Sequence, residues 1–200
     1  MQADEAIWLL PLAILVGSYL LGSIPFGVLV TRMAGTGDLR ALGSGNIGAT
    51  NVLRTGRRDL AALTLLLDGA KGAVAVLVAE RAMPGMGPLG AVGVFYGHIF
   101  PVWLRFHGGK GVATFIGLAL AAYWPCGLIF LGVWLLVSAI TRRSSAGGIG
   151  GALATPVAAA VLDQWNLVLL FLAFALTVVW THRANLARLI AGTEPAIGQS

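Results

Sequence analysis

Charge is what this sequence has least of. Of its 200 residues only 10% are Asp, Glu, Lys or Arg, while 58% are hydrophobic and the mean hydropathy is +0.86. A soluble domain carries about a quarter charged residues. A single core of this size uses only part of such an apolar excess, whereas a bilayer accepts the rest. Cysteine is nearly absent as well: Cys126 stands alone, which excludes a disulfide framework and a thiolate metal site. Met1 to Glu5 contain no Lys or Arg, so the basic n-region of a signal peptide is missing. The apolar run from Ala6 to about Val30 is also too long for an h-region and reads as a retained first span. The net charge of +5 is not a nucleic-acid signature, because the basic residues lie in short clusters between apolar runs.

Several reaction signatures are missing too. The H-x-x-x-x-D spacing of thioester-using acyltransferases is not met, since Trp103, Val112 and Ala187 stand where Asp would follow His98, His107 and His182. There is no G-x-S-x-G elbow and no Walker A loop. Neither a His/carboxylate cluster nor a grouped set of acids offers a metal site, so no metal and no cofactor is expected. Cys126, beside Trp124 and Pro125 near the opposite membrane face, is a poor nucleophile candidate.

What is present is membrane-spanning sequence. Seven apolar stretches run over about 6–31, 59–80, 87–105, 111–125, 126–141, 147–163 and 166–181. The fourth and fifth are parted only by the turn Tyr123 to Gly127, so five or six spans is the alternative if that pair is a re-entrant hairpin. With the amino terminus outside and the carboxyl terminus inside, 11 of the 13 basic residues fall in inward segments, as the positive-inside rule requires. The expected protein is therefore an all-α integral membrane protein of about seven transmembrane helices in a bacterial inner membrane, in contact with its lipids. No linker or repeat separates a second unit, so residues 1–200 read as one polytopic domain. The polar segments 35–58, 105–114, 141–151 and 181–198 all fall on the cytoplasmic side in this arrangement.

Each segment has chemistry to offer. In Gly43 to Arg54, glycines permit an anion-binding nest. Ser44, Asn46, Thr50 and Asn51 add neutral donors there, and Arg54 supplies a planar fork suited to phosphate. The formal G-x-G-x-x-G in this stretch lacks the preceding strand that a dinucleotide fold needs. The second segment carries Gly108, Gly109, Lys110 and Gly111 before a helix start, which are the elements of phosphate binding; a basic membrane-flanking turn is the plainer alternative. His98 reads equally as a structural histidine or a catalytic one. Asp68 and Lys71, three apart within the second span, suit a buried ion pair that holds neighbouring loops in register. Thr141 to Gly147 is either a topogenic charge pair or a phosphate contact. His182 and Asn185, also three apart, project together at the membrane surface, with Arg183 and Arg188 alongside.

In this order the segments resemble one family, the bacterial membrane acyl-phosphate–glycerol-3-phosphate acyltransferases (the PlsY family). The resemblance rests on Ser18 to Gly27, Ser44 to Arg54, Leu67 to Gly72, Gly97 to Thr114 and His182 to Glu194, and so on nearly the whole chain. It implies transfer of a fatty acyl group from acyl phosphate to the first hydroxyl of glycerol 3-phosphate, giving lysophosphatidic acid and inorganic phosphate. It also implies a functional link to an enzyme that makes acyl phosphate. Carried over by position, His182, Asn185 and Lys110 are the implied catalytic residues. Ser44, Thr50, Arg54, Gly108, Gly109, Gly111 and Ser145 are the implied substrate-binding set, to which the donors of the first segment add Asn46 and Asn51. The third loop departs from the family pattern: Arg143-Ser144-Ser145-Ala146 stands where an aromatic and an aliphatic residue precede Ser-Leu, so Ser144 is the alternative to Ser145. Two other classes compete. A phosphate-ester transporter would use the same basic loops but commonly shows repeats and mid-membrane broken helices. A membrane phosphotransferase would need a carboxylate cluster for Mg²⁺.

Overall fold

A computed structural model describes residues 2–43 and 45–198, with side chains from Trp8 onward. Ten helices account for most of it, and no strand occurs among the described residues. They are α1 (Gln2–Gly22), α2 (Phe26–Met33), α3 (Ala49–Val52), α4 (Arg58–Ala82), α5 (Gly87–Ile99), α6 (Val112–Ala122), α7 (Trp124–Thr141), α8 (Ser144–Val161), α9 (Trp165–Thr181) and α10 (Arg183–Ile190).

All seven apolar stretches are helical. Trp8–Met33, Arg58–Ala82, Gly87–Leu104, Trp124–Thr141 and Ser144–Val161 are each long and apolar enough to cross a membrane, and α9 joins them when taken with α10 across a 64° bend. The first stretch is not one straight helix. It breaks at Ser23 to Pro25, because proline has no N–H to donate and disfavours helical geometry in the residue before it. At 11 residues α6 rises only about 16 Å, against roughly 30 Å of hydrocarbon. The chain turns at Tyr123, and α7 starts at once with Pro125 in its first turn, so α6 and α7 form a hairpin.

Helix contact here depends on close packing rather than on hydrophobic drive, since lipid tails are as apolar as leucine. Several of the 28 glycines serve this purpose. A Cβ at Gly93 would lie 2.6 Å from the Leu15 carbonyl on α1, and one at Gly90 would lie 2.6 Å from the Ala75 carbonyl on α4. The interior between these crossings is aromatic. Phe115 meets Phe130 edge-on at 5.0 Å, and Phe95 and Phe174 lie 4.3 Å apart, all four at most 1% exposed. This core fixes the helix ends, and the segments around residues 46–54, 110–113, 144–145 and 182–198 meet there in one cleft.

Candidate active site

The first segment is folded largely by its own side chains. The Asn46 side-chain oxygen accepts the Gly48 N–H at 2.9 Å, closing an Asx turn. Asn51, buried on α3, brings its amide nitrogen to the carbonyls of Leu39, Leu42 and Asn46 at 2.9, 3.1 and 2.8 Å. Its donors therefore shape the loop, which corrects the expectation that they face substrate. Gly43, at φ +51°, lies under Arg54, and a Cβ there would run into the guanidinium. Arg54 lines the cleft half-buried and has no carboxylate partner among the described residues. The hydroxyls of Thr50 and Ser144 lie 3.3 Å apart across the opening. Ser44 lies outside the described residues.

The glycine loop departs from the expected nest. The N–H groups of Gly108 and Gly109 donate to the carbonyls of Ile99 and His98, both at 3.0 Å, so they are committed inside the protein. The free amides come instead from the start of α6, where Gly111 at φ +88° leads into Val112 and Ala113 without a side-chain cap. A helix start of this kind attracts anions through its unpaired N–H groups and dipole. Lys110 reaches into the cleft and donates to the Asn185 side-chain oxygen. Burial pushes its ammonium down to about 8 from the usual 10.5; Glu194 opposes the shift, while the charges of Arg188 and Arg54 add to it.

Glu194 organises the remaining wall. In the sequence it was merely an ungrouped acid near an inward loop. In the structure Gly192, at φ +71°, reverses the chain after α10 and brings Glu194 back under the site. Its carboxylate accepts from Ser145 at 2.6 Å, from Asn185 at 2.6 Å and from Arg188 at 2.7 Å, and its main-chain oxygen accepts from Arg143 at 3.0 Å. Burial works to raise its pKa, but these hydrogen bonds outweigh it and hold the carboxyl below its ordinary value. The visible signal was an acid a short turn beyond Arg188; nothing in the spacing said that Ser145 would be the third partner. With the Ser145 hydroxyl donated to Glu194, Ser144 is the one beside Thr50 at the opening.

His182, one residue past α9, is 3% exposed, and its Nδ1 lies 2.8 Å from the Val178 carbonyl. A carbonyl only accepts, so Nδ1 carries the hydrogen and Nε2 keeps its lone pair. Burial, then the charge of Lys110, depress its pKa to about 4, so the ring is neutral at physiological pH.

The cleft thus gathers Asn46, Thr50, Asn51, Arg54, Lys110, Gly111, Ser145, His182 and Asn185 from the expected set, and adds Asp68, His98, Ser144, Arg188 and Glu194. Gly108 and Gly109 support it from behind. No group of three His, Cys, Asp or Glu able to hold a metal occurs among the described residues. Arg54, Lys110 and the α6 amino end make the opening suited to anions carrying phosphate.

Similarity to known proteins agrees with this geometry. Residues 12–192 match the family model for glycerol-3-phosphate acyltransferase. The chain is 51% identical over 191 residues to the glycerol-3-phosphate acyltransferase of Maricaulis maris, covering 95% of this chain and 88% of that one. It is 50% identical over 204 residues to the one from Caulobacter vibrioides, covering 100% and 94%. Crystal structures of PlsY, an integral membrane glycerol 3-phosphate acyltransferase, are similar throughout. The glycerol 3-phosphate form superposes with a TM-score of 0.88 at 32% identity, and the lysophosphatidic acid form with 0.86 at 30%, each covering 93% of this chain and 94% of that structure. A cleft with two cations that have no carboxylate partner among the described residues, at the mouth of a helical membrane bundle matched over nearly its whole length by these enzymes, places the chain in the glycerol-3-phosphate acyltransferase family.

Proposed function

We propose that the acyl donor is acyl phosphate and that the product, formed at the cytoplasmic face of the inner membrane, is lysophosphatidic acid. The observation that carries this reading is the pair of cations, Arg54 and Lys110, facing one cleft beside a neutral His182. Two phosphate-bearing substrates can then lie side by side. Arg54 and the hydroxyls of Thr50 and Ser144 suit glycerol 3-phosphate, and Lys110 with the α6 amino end suits acyl phosphate. Asn46, by its place in the cleft, and Ser44, by the family resemblance alone, are assigned to glycerol 3-phosphate. Ser145 acts by holding Glu194.

Acyl phosphate is a mixed anhydride, so its phosphate leaves readily and positioning supplies much of the rate. The first hydroxyl of glycerol 3-phosphate attacks the acyl carbon, the carbon–oxygen bond to phosphate breaks, and phosphate departs with that electron pair. Nε2 of His182 accepts a hydrogen bond from the attacking hydroxyl and orients it. A ring with a pKa of about 4 is a weak base, so the hydroxyl proton passes to the departing phosphate. Lys110 stabilises the developing oxyanion, and Asn185 positions Lys110 by accepting a hydrogen bond from the ammonium.

Purified protein mixed with acyl phosphate and glycerol 3-phosphate should form lysophosphatidic acid, with EDTA present and with no turnover of acyl-CoA. Turnover of acyl-CoA instead, or a need for Mg²⁺, would defeat this assignment. The acyl phosphate must come from an enzyme that phosphorylates or transfers acyl groups onto phosphate in the same cell.

The distribution of the basic clusters supports a cleft facing the cytoplasm with the amino terminus outside. An impermeant thiol reagent applied to intact cells should label Gln164→Cys and spare Gly37→Cys. The reverse pattern would invert the orientation.

A further inference from the structure

Behind the glycine loop lies a buried charged group that the chemistry above does not use. Asp68 and Lys71 on α4 and His98 on α5 are each 2–3% exposed. Lys71 pairs with Asp68 at 2.8 Å and donates to the carbonyls of Gly22 and Ile24 at 2.9 Å, the oxygens freed by the α1–α2 break. An ammonium has three donors, so Lys71 is fully committed and cannot turn to a substrate. Nδ1 of His98 faces the same Asp68 oxygen at 3.6 Å. The other edge of the His98 ring, at Nε2, occupies the place where a side chain of Gly109 would stand. The His98 carbonyl also takes the Gly109 N–H at 3.0 Å. One residue on, the Lys110 carbonyl is held from the opposite side by the Thr181 hydroxyl at 3.1 Å.

We propose that His98, braced by the Asp68–Lys71 pair, is a positioning residue for acyl transfer: it moulds the Gly108–Lys110 loop and so sets the place of the Lys110 ammonium. The contacts form a continuous line from the α1–α2 break, through Lys71, Asp68 and His98, to Gly109. An ion pair buried inside a membrane bundle is costly to maintain. This one ends at the backbone of the residue before Lys110. Glycine is required at 109 because the imidazole fills the volume of a side chain.

This inference rests on the reading of Lys110 as the acyl-phosphate cation, and kinetics of His98→Ala, Gly109→Ala and the double variant test it. Each single variant should lower kcat/KM for acyl phosphate by about 10- to 100-fold, the scale of an ångström-sized misplacement, with KM for glycerol 3-phosphate little changed. The double variant should be no worse than Gly109→Ala, because removing the ring opens the space the new methyl needs; contacting residues behave non-additively. His98→Asn, which keeps a nitrogen near Asp68, should retain more activity than His98→Ala and serves in its place if the alanine variant does not fold. Additive losses, or a His98→Asn enzyme that binds acyl phosphate normally, would overturn the proposal. So would equal rises in both KM values accompanied by a lower melting temperature. An inactive wild type would instead overturn the donor assignment itself.

Discussion

Glu194→Ala is expected to lower kcat/KM by roughly two orders of magnitude, because hydrogen bonds to an ionised group contribute about 1.5–3 kcal/mol each and three side chains lose theirs together. Asn185 loses the partner that holds its amide at 2.6 Å, which frees the group that receives Lys110. Arg188 becomes an unpaired cation beside Lys110 and depresses the ammonium further, since its charge already acts in that direction. Ser145 loses the anchor that ties the start of α8 to the carboxyl-terminal tail, while Arg143 keeps its bond to the main-chain oxygen at position 194. Glu194→Gln keeps one carbonyl acceptor but turns an NH₂ toward these donors, so it should fall between the two. Steady-state kinetics with a melting curve for each variant separate the outcomes. An alanine variant within a few-fold of wild type would mean that the tail covers the site without organising it.

The second large effect belongs to Lys110. Lys110→Met should cost about 10- to 150-fold in kcat/KM for acyl phosphate, the value of one charge-assisted contact to phosphate. The wild type should show its own signature in pH. With the ammonium at about 8, the free enzyme holds the required charge below that pH, so kcat/KM should fall as pH rises through about 8. Bound phosphate favours the charged form, so the limb in kcat should lie higher than the limb in kcat/KM. Lys110→Arg should remove the limb altogether, because guanidinium does not titrate there. Stability runs the other way. Between about 8 and 10.5 the unfolded chain keeps a proton that the folded one has released, so this residue's contribution rises with pH. No acid limb from His182 should appear above about pH 5, because its ring is already neutral there. An acid limb near pH 6 is expected from the second ionisation of the substrates' phosphate groups.

Much of the site was legible before any coordinates. Arg54, Lys110 and His182 stand out because a cation or imidazole in a polar loop between apolar runs has few structural uses, and Asn185 stands out by its three-residue spacing from His182. The loops also share a side by charge bias alone. Glu194 escaped notice because its partners, Ser145 and Arg188, come from different segments, and one partner is 49 residues away in the chain. Gly108 and Gly109 were recognised as necessary but for another reason: they admit the His98 ring and carbonyl rather than offering amides to an anion.

Composition and periodicity alone determined the membrane class, the apolar segments and the loops that carry the chemistry, because these depend on solvation energy, which is local and additive along the chain. Tertiary structure decided which side chains are committed within the protein and which remain open to a ligand. Hydrogen-bond capacity is finite, and only the packed bundle decides which neighbour fills it. The carboxylate of Glu194 takes up the donors of Ser145, Asn185 and Arg188; Asn51 turns its amide to the loop carbonyls; Lys71 closes on Asp68 and the α1–α2 break. Among the described residues Arg54 is left without a carboxylate partner and the Lys110 ammonium with only the neutral amide of Asn185, and that selection suits the cleft to anions.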